Sequence, residues 1–371
     1  MKILLIGSYA PSLVNFRAPL IKDLVSNGHE VHVSCPDVSR EVQRKINDLG
    51  ATVHDIAMSR TGLNPIKDVL YLYSLNRLIR KHGIQFLISY TIKPNIWGAL
   101  AAWPNGVPSA ALITGLGYTF AGNKSLKHSL VKGAASLLLS FATSRNRFLV
   151  FQNPDDRDEY LNAGYVRDKD KIRMMNGSGV DLNHYAKSPL PKEPVFLMIS
   201  RLLVSKGVRE YCEAAVRVKR EFPKARFLLA GYLDKGPDSI RATELDRWLE
   251  DGIEYLGFQK DVRPVIAESN VYVLPSYREG TPRSVLEAMA MGRPIITTDA
   301  PGCRETTVDG ESGFLIPTKD TDSVAQAMRR FIENPNLKNR MGEASYKRVL
   351  DKYDVELVNK KLIDDLALKQ L

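Results

Sequence analysis

The chain has 371 residues, 44% of them hydrophobic and 25% charged, a balance that suits two soluble globular domains and excludes a disordered or fibrous chain. Lys and Arg total 52 against 42 Asp and Glu, a net +10, but residues 1–185 hold 22 basic and 14 acidic side chains (+8) and residues 186–371 the other 30 and 28 (+2). Residues 69–154 contain no acid at all, whereas Arg77, Arg80, Lys81, Lys93, Lys124, Lys127, Lys132, Arg145 and Arg147 lie there, which predicts an anionic partner.

In chain order, the apolar run Lys2–Gly7 predicts a buried first strand and is too short for a signal peptide. A helix near Phe16–Ser26, stopped by Gly28, follows, then strands at Glu30–Ser34, Phe86–Ser89, Ser109–Ile113 and Phe148–Phe151. Residues 94–123 are uncharged, but Pro94, Pro104, Pro108 and five glycines exclude a spanning helix. Within 124–147, Leu126, Leu130, Ala134, Leu138 and Phe141 recur at near-helical spacing, with Lys124, Lys127, His128 and Lys132 around the N-terminal half. That stripe suits either a domain core or an anionic membrane surface, where each Lys or Arg contributes about 1 kcal/mol. Lys124, Lys127 and Lys132 are the expected surface contacts.

Pro189, Pro191 and Pro194 place a boundary in His184–Pro194. This gives a first domain over 1–186, a second over 187–351, and a terminal helix at 352–371 packing back on the first. The second domain starts afresh with a strand at Val195–Ser200, then a helix at 207–221, strands at 226–230, 253–256 and 271–274, a helix at 282–291 and a strand at 294–297. Strands alternating with helices predict an α/β protein of two doubly wound parallel sheets, with ligands in a cleft at the carboxyl ends of the strands.

Neither Gly7-Ser8-Tyr9-Ala10-Pro11 nor Arg201–Gly207 carries the Gly-x-Gly-x-x-Gly turn of a dinucleotide site, so hydride transfer is disfavoured. Cys35, Cys212 and Cys303 have no disulfide or metal spacing and fit a reducing cytoplasm. Asp156-Arg157-Asp158 and Asp168-Lys169-Asp170 sit in highly charged segments and read as solvated carboxylates, not a metal pair.

Pro275-Ser-Tyr-Arg-Glu279-Gly280-Thr281-Pro282-Arg-Ser-Val-Leu-Glu287 leads a strand through a loop into a helix, with Thr281 as the expected cap and Pro282 in the first turn. Loop amides and the helix N-terminus there favour an anion. This segment, with the following Ala-Met-Ala and Gly-Arg-Pro, resembles the donor-site signature of the retaining glycosyltransferases of family 4, whose two Rossmann-like domains form the GT-B architecture. Arg201 and Lys206, Gly257-Phe258, Asp299-Ala-Pro-Gly302 and Asp309-Gly310-Glu-Ser-Gly313-Phe314 extend the resemblance through residues 195–345.

The resemblance implies that Arg201 and Lys206 hold the donor diphosphate and stabilise the charge growing on it. It implies that Glu287 accepts the ribose hydroxyls, that Glu279 lies by the sugar or its reacting carbon, and that backbone near Gly257, Gly280, Thr281 and Pro282 completes a uridine-diphosphate site. Glu279, Arg201 and Lys206 are then the catalytic candidates, with no metal and no cofactor. Asn15-Phe16-Arg17, Thr91-Ile-Lys93-Pro94-Asn95, Thr114-Gly115-Leu-Gly117, Gln152-Asn-Pro-Asp155 and Pro301-Gly-Cys-Arg-Glu305 look like a branch that extends polyprenyl-diphosphate-linked saccharides in bacterial glycan and glycoprotein assembly. Asn15, Arg17, Lys93, Gly115 and Gly117 are its acceptor candidates, and N-acetylgalactosamine is the favoured sugar. The expected location is peripheral, on the cytoplasmic face of the inner membrane. Many relatives place a histidine after the strand at 109–113; here Thr114-Gly115-Leu116-Gly117 stands there. A sugar-nucleotide epimerase shares the architecture and is the competing enzyme reading. A basic nucleic-acid-binding protein is disfavoured by the lack of any helix-turn-helix, RNP or zinc pattern.

Overall fold

A computed structural model describes residues 1–59, 64–115 and 126–368, without the side chains of 126–132 and 134. Gly117 and Lys124 lie outside the described residues, as do the side chains of Lys127 and Lys132. Met1–Ser178, with the C-terminal segment from Val358, forms one compact unit, and Gly179–Leu357 forms the other.

The first unit runs β1 (Lys2–Ile6), α1 (Ala10–Ser26), β2 (Glu30–Cys35), α2 (Arg40–Asp48), β3 (Thr52–Asp55), α3 (Pro65–His82), β4 (Phe86–Tyr90), α4 (Ile92–Ala102), β5 (Ser109–Ile113), α5 (Leu126–Arg145), β6 (Phe148–Phe151), α6 (Pro154–Asn162) and β7 (Ile172–Met174). The second runs β8 (Val195–Ile199), α7 (Val208–Glu221), β9 (Arg226–Ala230), α8 (Ala242–Glu250), β10 (Glu254–Gly257), α9 (Arg263–Ala267), β11 (Val271–Leu274), α10 (Arg283–Ala290), β12 (Ile295–Thr298), β13 (Gly313–Ile316), α11 (Thr321–Glu333) and α12 (Asn336–Lys352). A last helix, α13 (Val355–Asp365), carries the chain back to the first unit.

All strand pairs are parallel, in the orders β3-β2-β1-β4-β5-β6-β7 and β10-β9-β8-β11-β12-β13. Helices cover both faces of such sheets, so central strands are buried on both sides and read as unbroken apolar runs. The order reverses between β1 and β4 in the first unit and between β8 and β11 in the second. Open α/β sheets bind ligands at such reversals.

Local signals explain most boundaries. The Asn64 side chain accepts the Lys67 amide at 3.2 Å to cap α3, Pro65 starts it, and Gly83, at φ 62°, ends it in the left-handed conformation. Asn27 caps the end of α1, and Gly28 follows it at φ 77°. That helix begins at Ala10, earlier than the periodicity suggested, with Pro11 in its first turn; Asn15 and Arg17 are therefore helical residues. The expected order at the start of α10 is also corrected. Pro282 is the extended N-cap residue itself, its carbonyl accepting the Val285 amide at 3.1 Å, and Thr281 lies one residue outside the cap.

Along α5, Leu139 and Ala142 face the core, whereas Leu138 and Phe141 of the apolar stripe are exposed; the side chains of Leu126, Leu130 and Ala134 lie outside the described residues. One further expectation changes. Asp156 is fully buried and is no solvated carboxylate: Asn153 accepts its amide at 2.8 Å and donates to its carboxylate at 3.0 Å, fixing the start of α6. Asp158 is exposed, 2.7 Å from Arg157. The three cysteines are buried free thiols. Among the described residues no helix is long and apolar enough to cross a membrane.

The Pro-rich segment after residue 184 packs on the second unit. Arg293, fully buried, donates to the carbonyls of Ser269 (3.1 Å), Ser188 (2.8 Å), Pro189 (3.0 Å), Ala267 (2.9 Å) and Met291 and to the Ser188 hydroxyl (2.7 Å), so all three guanidinium nitrogens are engaged. Burial lowers its pKa to about 10. The Gly-Arg-Pro string thus carries a linker-pinning residue.

Candidate active site

Lys206 follows β8 and Glu279 follows β11, the two strands flanking the reversal in the second sheet. Their side chains meet, Lys206 Nζ lying 2.5 Å from Glu279 Oε1, with both largely shielded from solvent. Main-chain contacts build this meeting. The Tyr277 amide donates to the Ser205 carbonyl at 2.9 Å, and the Ser276 hydroxyl donates to the same oxygen at 3.2 Å. Gly207, at φ 75°, lies so close to Pro275 that a Cβ would stand 2.1 Å from the Pro275 oxygen. On the other side, the Glu279 amide donates to the Pro301 carbonyl at 2.9 Å, and Gly302, at φ 78°, would place a Cβ 2.1 Å from the Glu279 oxygen. The glycine of Asp299-Ala-Pro-Gly302 is thus required by the approach of the Glu279 loop.

Glu287 is buried on α10. Arg283 Nε donates to its Oε1 at 3.1 Å, and the Tyr185 hydroxyl also hydrogen-bonds to its carboxylate. Burial pushes the Glu287 carboxyl above its ordinary range, against the opposing pull of Arg283 and Tyr185. Arg201 reaches Asp234 instead, Nη1 to Oδ2 at 3.0 Å. The Lys235 amide, and then Arg201, hold the Asp234 carboxyl below the usual range. Lys206 and Glu279 therefore form one cluster, Glu287 a second with Arg283 and Tyr185, and Arg201 a third with Asp234.

Gly257 ends β10 at φ 66° with open space where a side chain would lie, and its carbonyl accepts the Gly231 amide at 2.9 Å. Phe258 beside it is 68% exposed, and exposed Tyr232 faces it edge-on at 6.2 Å. Large aromatics bared at the carboxyl ends of β9 and β10 offer an apolar platform, with the exposed Phe258 ring presenting a face. Gly280 and Pro282 are buried between β11 and α10, with Thr281 half-buried. Tyr185, Asp234 and Tyr232 were not among the expected site residues, since none has a spacing that marks it.

The acceptor candidates fall around the other reversal. Arg17 is buried on α1, its guanidinium 4.8 Å from the centre of the Tyr90 ring, while Asn15, two residues earlier, is exposed. Tyr90 ends β4, its hydroxyl 3.0 Å from the Ser12 hydroxyl, and a Cβ on Gly7 would stand 2.2 Å from it. Thr91 takes φ 72°, a conformation costing about 1–3 kcal/mol outside glycine, and donates to the Ser8 hydroxyl at 2.9 Å. Lys93 pairs with buried Asp68 at 2.9 Å, so the last acid before the acid-free stretch answers one of its cations. Gly115, at φ 122°, follows β5.

The geometry has the companions it calls for among known proteins. The family model described as "Glycosyl transferases group 1" matches residues 182–348, and "Glycosyl transferase 4-like" matches residues 2–152. The chain belongs to the glycosyltransferases. It is 29% identical, over 96% of both chains, to the N,N'-diacetylbacillosaminyl-diphospho-undecaprenol alpha-1,3-N-acetylgalactosaminyltransferase of Campylobacter jejuni. It is 28% identical to the UDP-Gal:alpha-D-GlcNAc-diphosphoundecaprenol alpha-1,3-galactosyltransferase of Escherichia coli, over 78% of this chain and 77% of that one. The HepE structure from Anabaena, solved with UDP and glucose, superposes with a TM-score of 0.81 at 18% identity, covering 99% of this chain and 100% of that one. Sucrose-phosphate synthase from Thermosynechococcus elongatus gives 0.79 at 16%, covering 99% and 98%. These two likenesses concern the fold, and this glycosyltransferase has the GT-B architecture that its motifs implied.

Proposed function

We propose that this glycosyltransferase moves a hexose or N-acetylhexosamine, N-acetylgalactosamine foremost, from a UDP-sugar to a polyprenyl-diphosphate-linked saccharide with retention of configuration. The observation that carries the reading is the Lys206–Glu279 pair at the β8/β11 reversal. A diphosphate arriving there offers Lys206 a second anion, and Arg201 on the same loop supplies another cation. Two fixed cations stabilise the departing nucleotide without a metal. As Lys206 turns to phosphate, the Glu279 carboxylate becomes available to the sugar hydroxyls. Glu287, already oriented by Arg283 and Tyr185, receives the ribose. The amide and carbonyl groups around Gly257 read the uracil edge, and Phe258 stacks on its face. Bond formation and cleavage occur on one face of the sugar: the C1–phosphate bond breaks, the acceptor oxygen bonds to C1, and its proton passes to the leaving phosphate.

The relatives that act on undecaprenyl-diphosphate saccharides support the acceptor class. A membrane-side position for the first unit is supported by α3, where Ile66, Val69, Leu70 and Tyr73, at helical spacing, are 59–73% exposed. Exposed Arg77, Arg80 and Lys81 continue the helix toward its C-terminus. A helix with an outward apolar stripe and a basic end suits an anionic lipid surface. On α5, Leu137, Leu138 and Phe141 are exposed as well. The test is turnover of UDP-N-acetylgalactosamine with and without a polyprenyl-diphosphate saccharide. Acceptor-dependent release of UDP is expected, whereas turnover indifferent to acceptor would assign the protein to epimerase or hydrolase chemistry.

A further inference from the structure

Three of the six histidines converge in the first unit. His32 lies on β2, His54 on the edge strand β3, and His82 is the last residue of α3. The register pairs His32 with Thr52 and Ser34 with His54, so the two strand histidines share a face on a diagonal. That face is opposite the one on which Val31 and Val33 join the apolar core. Gly83 turns the chain at the end of α3 and leaves the His82 ring 4.9 Å from that of His32 and 4.8 Å from that of His54. One ring nitrogen from each residue lies within 4.8 Å of the other two, and His32 Nδ1 is 3.0 Å from His54 Nε2.

The second contact of His32 orients its ring. Its Nε2 is 3.0 Å from Glu30 Oε1, and a carboxylate only accepts, so Nε2 carries a proton there and Nδ1 is the nitrogen turned toward the cluster. A carboxylate behind an imidazole whose other nitrogen points into a cluster is the arrangement that orients metal-ligating histidines. Zinc takes imidazole nitrogens at about 2.0–2.1 Å, which places tetrahedral ligand atoms about 3.3 Å apart. The His32 and His54 nitrogens are already 3.0 Å apart, and all three lie within 4.8 Å of one another, so the set has to draw in to reach that spacing. Lys2 and Lys81 oppose a cation here, and Glu30, 3.2 Å from Lys2, offsets them in part.

We infer that His32, His54 and His82 form a site for a divalent transition-metal ion of the zinc type, with a water in the fourth position. The ion would tie the short edge strand β3 and the end of α3 to the sheet. Its role is structural, because β2 and the edge strand β3 lie on the side of β1 away from β4 and the strand-order reversal.

The test uses untagged full-length protein stripped with chelator, then titrated with Zn2+ by calorimetry and followed by thermal unfolding. Co2+ serves as a spectroscopic probe of tetrahedral nitrogen ligation. One ion per chain and a higher unfolding midpoint are expected. His54→Asn and His82→Asn, checked for native far-UV circular dichroism without metal, should each weaken binding by more than about tenfold, and Glu30→Gln by about 10–100-fold. His184→Asn, an exposed histidine of the second unit, should bind as wild type. No zinc uptake by the wild-type chain, or uptake undiminished in the His54 and His82 variants, would overturn the site and leave a hydrogen-bonded imidazole chain.

Discussion

Two glycines with nearly the same backbone angle allow the packing of the Glu279 loop to be tested against an internal control. Gly302 has φ 78° and Gly310 has φ 74°. A Cβ at Gly302 would stand 2.1 Å from the Glu279 oxygen and 2.5 Å from the Gly280 oxygen, whereas nothing lies within 4 Å at Gly310. Alanine in the left-handed region costs about 1–2 kcal/mol at either position. At Gly302 both obstacles are backbone, so the loop itself must move, and the total rises to about 3 kcal/mol. In a unit of this size each kcal/mol lowers the midpoint by about 2–4 °C, giving about 6–12 °C for Gly302→Ala and about 2–8 °C for Gly310→Ala. Relieving the clash displaces Glu279 by about 1 Å, a misplacement that costs about 100-fold in rate. Thermal unfolding by circular dichroism and acceptor-dependent sugar transfer are measured on both variants. Gly302→Ala should lose both stability and kcat, and Gly310→Ala stability alone. Equal midpoints and equal rates in the two variants would refute the argument that Gly302 exists to admit the Glu279 loop.

Lys206→Ala and Glu279→Gln should each lower kcat by at least about 100-fold, the scale of one lost transition-state contact, and near-normal rates in both would remove the pair from catalysis. Phe258→Ala should weaken UDP binding roughly tenfold in a calorimetric titration with kcat little changed, since stacking on a base contributes about 1–3 kcal/mol; unaltered affinity would refute the aromatic platform. Ile66→Asp combined with Leu70→Asp, and separately Glu at Lys124, Lys127 and Lys132, should reduce partition onto anionic vesicles while sparing turnover of a short soluble acceptor. Unchanged partition in both sets would place the membrane contact elsewhere. Burial raises the pKa of Glu287, so the folded chain keeps a proton that the unfolded chain releases, and stability falls as pH rises from the ordinary carboxylate range through the folded value. The midpoint of Glu287→Gln relative to wild type should therefore climb with pH across that window, and a pH-independent difference would contradict the shift.

Central strands were legible because parallel sheets bury both faces: Ser109–Ile113, Phe148–Phe151 and Val271–Leu274 have the same bounds in sequence and structure. β3 escaped because Thr-Val-His-Asp is a short, half-exposed edge strand with one aliphatic residue. α1 began early because Ala10-Pro11 resembles a loop until proline is allowed in a first helical turn. At the site, the family motif supplied Lys206 and Glu279, but their contact spans 73 positions and has no sequence signal. Tyr185 reaches Glu287 from a segment whose prolines suggested only a linker. The histidine trio is equally silent, since its members come from a strand, an edge strand and a helix end without ligand spacing.

The closing helix has a consequence for how the chain matures during synthesis. Val358, Leu362, Ile363, Leu366 and Leu368 belong to the same apolar cluster as Leu13, Leu20, Ile21 and Leu24 of α1. Asn359 donates to Asp23 at 2.7 Å, and His29 Nε2 lies 2.5 Å from the Leu368 oxygen. The unit translated first is therefore completed last, after the whole second unit has emerged. Until then the core-facing stripe of α1 is bare, and a ribosome stalled late would hold a finished second unit and an open first one. Domains usually fold as they emerge; here the C-terminal segment gates the order, and chaperone demand should fall on the first unit.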